Sequence, residues 1–366
     1  MGFSGFNRSR YYTMINRITF LLLLQSVLFL SIPGFAQDKS GYTASQAFSF
    51  STGKGLLLNV RLLLDHKNMP SLYSAHIATT VCSDSLCKPI NLIVYWNLLG
   101  HFVDYSTPKN QPLTKFDHVV FTAADHKKLH VILADDRSML KDYEAEDMID
   151  RNVKVYSNVV DGTTGATNKS FQDVIVQGAV YTVHTLWHIV NGPVAPKILE
   201  HTRGLLNDHL IRSMLVSGNN DYQRFILTEL PDDQIKAVVP EIIELITDRD
   251  EFIPLLALEK IPAGLWEDAA TQQLILHKFP NLRLEVQNTL LQKLKELLVY
   301  TAGLSILVHS LDKLNKNQVN KVFNLLANNI SFVDLSLQKE LSALGRSNPL
   351  IADQVNEILK SVRNLR

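Results

Sequence analysis

Three constellations in this chain could do chemistry. The first is Val159-Val160-Asp161-Gly162-Thr163-Thr164-Gly165-Ala166-Thr167. It falls where a strand pattern ends and a helical one begins. That placement suits a tight, Gly-containing loop presenting side chains and backbone amides near a helix N-terminus. The plainer reading is a turn built on Asp-Gly-Thr-Thr-Gly, with Thr167 capping the helix that follows. The second is His184 and His188, four apart and so able to share one side of a helix. Two such imidazoles can ligate a metal or haem iron. The alternative is a partly buried, hydrogen-bonded pair, and no His-Glu-x-x-His arrangement or nearby acid completes a hydrolytic zinc site. His126 and His130 repeat the spacing, but Lys127 and Lys128 between them point to a solvated helix face. The third is Cys82 and Cys87, the only two cysteines. In an oxidising compartment a disulfide closing a small loop is expected. A redox pair or half of a metal site is the alternative, although the gap is wider than in thioredoxin-type motifs.

These residues must be positioned by elements of two kinds. From about Gly41 to Val160 the signals are mostly strand-like. Gly55 to Leu64 is apolar with polar interruptions, and Ile90 to Trp96 alternates with β-branched and aromatic residues. Gly100 suits a turn, after which His101 to Tyr105 can return as a partner strand. Ala123 to Leu133 reads as a short helix, and Val153 to Val160 as a strand. Ser170 to Val190 carries apolar residues at helical spacing, stopped by Asn191-Gly192-Pro193. Beyond Pro196 the pattern is helix after helix, broken at Gly218–Asp221, Leu230–Asp232, Ile261-Pro262, Phe279-Pro280, Gly303, Asn315 and Asn348-Pro349. Asn348 before Pro349 is a cap followed by a residue suited to the first helical position. Ser331 to Asp334 has a capping-box layout. The fold class expected is α+β: a sheet-and-helix domain over 37–195, then an all-helical repeat or bundle domain over 196–366, similar in layout to HEAT-type repeats.

Composition and the N-terminus narrow the function. The 366 residues are 46% hydrophobic and 20% charged, as in a globular chain. Lys plus Arg and Asp plus Glu balance at 36 each, so no overall field attracts nucleic acid. Arg8, Arg10 and Arg17 precede an apolar run from Ile18 to Ile32, and Pro33-Gly34-Phe35-Ala36 offers small residues for a cut after Ala36. This is the layout of a signal peptide over 1–36, with an uncleaved anchor helix as the alternative. Met14 is a second candidate start. An exported protein of the periplasm or cell envelope is expected. No Gly-x-Ser-x-Gly, Gly-Lys-Thr loop or dinucleotide fingerprint is present. Asn168 and Asn329 fit the N-glycosylation pattern.

The segment ending at Thr167 resembles the flavinylation motif of FMN-binding domains in extracytoplasmic electron-transfer subunits, such as the sodium-pumping NADH:quinone reductases. Asp161, Thr164, Gly165, Ala166 and Thr167 occupy the five constrained positions of that motif. The resemblance implies that a flavin transferase cleaves FAD and links FMN through its phosphate to Thr167, with Asp161 to Ala166 as the recognition loop. A hydroxyl is a weak nucleophile and needs a base, here on the transferase. Small Gly165 and Ala166 let a bulky nucleotide reach it. The implied function is envelope electron transfer with a membrane or periplasmic redox partner. His184 and His188, with Tyr181 and Trp187, could then line the flavin. Where the family continues with small hydroxyl residues, this chain has Asn168-Lys169-Ser170.

Three functions follow as expectations: a covalent FMN protein, a cofactor-free interaction protein that binds partners through its helices, and a metal or haem protein built on His184 and His188. All share one testable premise. The exported protein should begin at Gln37, read from its intact mass; a chain retaining Ile18–Ile32 would mark a membrane-anchored protein instead.

Overall fold

A computed structural model describes residues 41–52, 55–81, 88–156 and 163–365. The signal segment, Cys82, Cys87 and Asp161 lie outside the described residues. The chain divides into two compact units, one ending at Thr202 and one beginning at Arg203. The layout is α+β, with strands first and helices after.

The first unit is built on a five-stranded antiparallel sheet in sequential order. Its strands are β1 (Thr43–Ser51), β2 (Leu57–Leu64), β3 (Pro70–Thr79), β4 (Ile90–Trp96) and β5 (Phe102–Ser106). Alternation makes one face apolar. Leu58, Val60 and Leu62 of β2, Tyr73, Ala75 and Ile77 of β3, and Leu92, Val94 and Trp96 of β4 are all buried. The register aligns Val60, Ala75 and Val94 across the three strands, so these side chains share that face. Arg61, His76 and Ile93 on the other face are exposed. Each fully buried aliphatic side chain contributes roughly 1.5–3 kcal/mol.

Helices cover the apolar face. The first, α1 (Ala123–Ala134), starts at a capping box in which Thr122 accepts from Asp125 N and the Asp125 carboxylate accepts from Thr122 N. It buries Leu129, Ile132 and Leu133. The second, α2 (Val180–Val190), begins ten residues later than the apolar spacing predicts. Gly178, at φ +76°, breaks the run, and its carbonyl accepts from Phe116 N at 2.6 Å. Only a 3-10 turn, Lys169–Phe171, forms in the first part of the expected helix. The third helix, α3 (Val194–Leu205), meets β3 through the Tyr73 hydroxyl, 2.8 Å from His201 Nδ1 and 3.0 Å from Thr202 Oγ1. Trp96, wholly buried, donates its indole N–H to the Val190 carbonyl at 2.9 Å. The expected division after residue 195 falls in the first turn of α3.

A separate antiparallel hairpin pairs β6 (Ile149–Tyr156) with β7 (Thr163–Thr167). The register shifts between Asp150 and Lys154. The motif's last residues were expected in a loop, and their backbone forms a strand instead. Thr163 and Thr164 are β-branched, and the antiparallel partner strand prevails over the turn propensity of the sequence.

The second unit is helical throughout. Its principal helices form five consecutive pairs among the described residues: α4 (Asp208–Leu215) with α5 (Asn220–Glu229), α6 (Val239–Leu245) with α7 (Ile253–Lys260), α8 (Ala269–Lys278) with α9 (Leu284–Leu294), α10 (Thr301–His309) with α11 (Lys316–Asn328), and α12 (Leu335–Ser347) with α13 (Ala352–Leu365). Equivalent helices begin roughly 30 residues apart, a spacing typical of repeat arrays. The second members form a continuous layer, α5 on α7, α7 on α9, α9 on α11 and α11 on α13. Polar bonds recur at equivalent places. Gln223 and Gln287, each the fourth residue of its helix, donate to Leu215 O and Phe279 O, closing the end of the preceding helix. The capping box expected from Ser331 does not form. Asp334 itself is the N-cap, accepting from Leu337 N at 2.8 Å, while Ser331 lies in a preceding 3-10 turn.

Gly100 closes the β4–β5 turn at φ +84°, and a Cβ there would lie 2.5 Å from Ala195 O. Gly100→Ala should lower the stability of the mature chain by more than about 1 kcal/mol, read from the denaturant midpoint. Gly204→Ala, in open space on α3, should not lower it.

Candidate functional site

The elements converge at the open end of the hairpin, where β6 begins and β7 ends. Thr167 is the last residue of β7, pairs with Ile149 and is half-buried. The next residue, Asn168, donates its backbone N–H to Met148 O at 2.8 Å. Its side-chain oxygen accepts from Ser170 N at 3.1 Å and starts the 3-10 turn. Asn168, rather than Thr167, is therefore the capping residue. The turn delivers Phe171 into the core, where its ring stands edge-on to Tyr143 at 5.0 Å. Of the motif residues, Thr164, Gly165 and Ala166 lie in β7 beside Thr167.

Helix α2 holds this region from behind. His184 is buried and places Nε2 2.9 Å from the Tyr143 carbonyl, which fixes the proton on Nε2. Trp187 donates its indole N–H to Asp135 O at 2.9 Å, and Asn191 donates to Leu133 O at 3.0 Å. One helix thus ties the Tyr143 segment to the C-terminal end of α1. The His184 and His188 rings lie 4.3 Å apart, as their spacing predicts. With its Nε2 committed to a carbonyl, His184 cannot ligate a metal through that atom. Among the described residues, no group of three or more His, Cys, Asp or Glu is placed to hold a metal ion.

His126 and His130 do not line a solvated face. Both turn towards β5: the Tyr105 hydroxyl is 2.6 Å from His126 Nδ1, and His130 Nε2 is 3.1 Å from Val103 O. They follow the stripe of buried Leu129 and Leu133, while Lys127 is exposed. Burial pushes the Tyr105 phenol up, so it keeps its proton and donates to a neutral His126 ring. Burial also holds His126 below its ordinary pKa of 6.5, against the opposing pull of Asp125.

Sequence reasoning missed Tyr143. It sits alone between Asp142 and Glu144, outside any apolar period, and only the approach of Phe171 brings it to the motif. No helix among the described residues is long and apolar enough to cross a membrane. No family model matches the chain, and no curated protein or solved structure matches it either.

The Tyr105–His126 pair gives this unit a pH dependence. Because the folded pKa of His126 lies below the unfolded one, the unfolded chain takes up the proton first. The stability conferred by the neutral ring is fully present above the unfolded value. It is lost as pH falls through that value of about 6.5 towards the lower folded one. His126→Gln should flatten the fall of denaturant midpoint between pH 7 and 5; an unchanged slope would assign it to other groups.

Proposed function

We propose that the protein is an exported flavoprotein that carries FMN joined through its phosphate to Thr167 and serves envelope electron transfer. The observation that carries the reading is the five-position motif Asp161, Thr164, Gly165, Ala166 and Thr167, in a chain whose first 36 residues have the layout of a signal peptide. The local structure is compatible with it. Thr167 is partly exposed at a strand end, and its two predecessors bear at most a methyl group, so a nucleotide can approach.

In the attachment, Thr167 Oγ1 gives its proton to a base on the flavin transferase and bonds the FMN phosphorus of FAD, and AMP leaves. Bound flavin would supply one- and two-electron chemistry. The chain's own residues would orient and shield it. The 3-10 turn after Thr167 and the Tyr143 segment held by His184 form the nearest wall. Asn168 keeps the acceptor next to that wall through its bond to Met148 O. The sheet-and-helix unit would be a diverged FMN-binding domain and the helical unit a HEAT-like docking surface for a membrane or periplasmic redox partner.

A second reading is favoured by the succession of helices in the second unit alone. Arrays of this kind present extended surfaces for binding, and the protein would then be a cofactor-free interaction protein of the envelope. One experiment separates the two. The chain is exported beside a flavin transferase that is active on a control substrate, and its mass is measured. Wild type should gain one FMN on the peptide containing Thr167, and Thr167→Ala should gain none. A bare wild-type chain would leave the interaction protein; flavin on the Thr167→Ala chain would put the attachment elsewhere.

A further inference from the structure

We propose that Tyr143 is the stacking platform for the ring system of the flavin tethered at Thr167, an inference that rests on the flavoprotein reading. Tyr143 is 40% exposed, whereas the Phe171 ring against it is buried. Protein therefore covers part of the tyrosine, and part of it stays accessible to a partner. Its backbone is fixed on both sides. The Tyr143 carbonyl lies 2.9 Å from His184 Nε2, and Glu144 N donates to the Asp147 carboxylate at 3.1 Å, beginning the 3-10 turn Ala145–Met148. That turn ends at Met148, whose carbonyl holds Asn168, the residue after the acceptor. Tyr143 and Thr167 thus belong to one hydrogen-bonded frame.

The tether length fits. From Thr167 to Phe171 the chain makes one extended step and one 3-10 turn, so their Cα atoms lie within about 10 Å of each other. Tyr143 stands against Phe171, ring centroids 5.0 Å apart, and the ribityl phosphate arm of FMN would have to bridge from the strand end to that pair. A flavin joined at Thr167 can therefore lay its ring system on the tyrosine while its phosphate remains at the strand end. Offset stacking between two π-systems is the favoured contact for such a pair. A phenol in that position also donates an electron to the excited flavin and quenches its emission.

The test uses the full chain exported beside an active flavin transferase, with flavin content per chain fixed by intact mass. Wild-type protein should emit several-fold less per attached flavin than the same protein after denaturation. Tyr143→Leu should restore the emission and abolish the induced visible circular dichroism of the flavin. Tyr143→Phe should restore emission but keep the dichroism, because phenylalanine stacks without donating an electron. The proposal is overturned if flavin attached to Tyr143→Leu, or to Tyr143→Phe should the leucine variant not be exported, stays as quenched as wild type. It is equally overturned if Tyr181→Leu releases the emission instead. A wild-type chain that takes no flavin sinks the flavoprotein reading itself, and the mass shows this before any emission is measured.

Discussion

The first unit depends on one constraint: a five-stranded meander with a single apolar face must be covered. Trp96 is the centre of that cover. Its ring is wholly buried, and its only N–H is spent on the Val190 carbonyl, at the end of α2. An indole buried without that bond would cost about 1–3 kcal/mol. The same cover leaves no slack at two glycines. A Cβ on Gly100 would meet Ala195 O at 2.5 Å, and one on Gly192 would meet His188 O at 2.0 Å. The bend between α2 and α3 is therefore specified by backbone that only glycine tolerates, and with it the approach of α3 to β3 through Tyr73, His201 and Thr202.

The candidate site inherits its geometry from this arrangement. Because α2 is fixed by the sheet at its C-terminal end, its remaining polar side chains reach other segments from known positions. His184 takes the Tyr143 carbonyl, Trp187 the Asp135 carbonyl and Asn191 the Leu133 carbonyl. Two carbonyls at the C-terminal end of α1 and one in the Tyr143 stretch thereby find donors. The hairpin joins the same network through Asn168 and Met148. Thr167 is thus positioned by bonds made by its neighbours rather than by its own side chain.

Some of this was legible in the sequence. Ile90–Trp96, rich in β-branched and aromatic residues, is a strand with those bounds, and its burial alternates. The helix expected over Ala123 to Leu133 forms one residue longer, over Ala123–Ala134, and the α+β order of the chain was also readable. By contrast, β1 went unseen because Thr43–Ser51 is an edge strand with few buried positions, so it needs no apolar alternation. In β3, Ser71, Ser74 and His76 dilute the signal. The start of α2 was hidden because Gly178 does its work through a long-range bond to Phe116, which no local window contains. The lysines misled at His126, where the periodicity of Leu129 and Leu133 was the better guide. At the site, the motif residues are local and were readable. Tyr143 was not, because its placement is set by contacts with residues about thirty or more positions away.

The helical unit has another consequence. Its principal contacts run from each helix pair to the next, with bonds such as Gln318 to Gln287 and Gln354 to Asn320 stitching neighbours together. A structure assembled this way has no single core whose loss unfolds it. Its free energy is a sum over pairs and the interfaces between them, and partial opening can stop at any interface. Cooperativity in this half of the molecule is thus a local property that declines towards the outermost pairs, whereas the sheet of the first unit, closed by Trp96 and its glycine contacts, stands or opens as a whole.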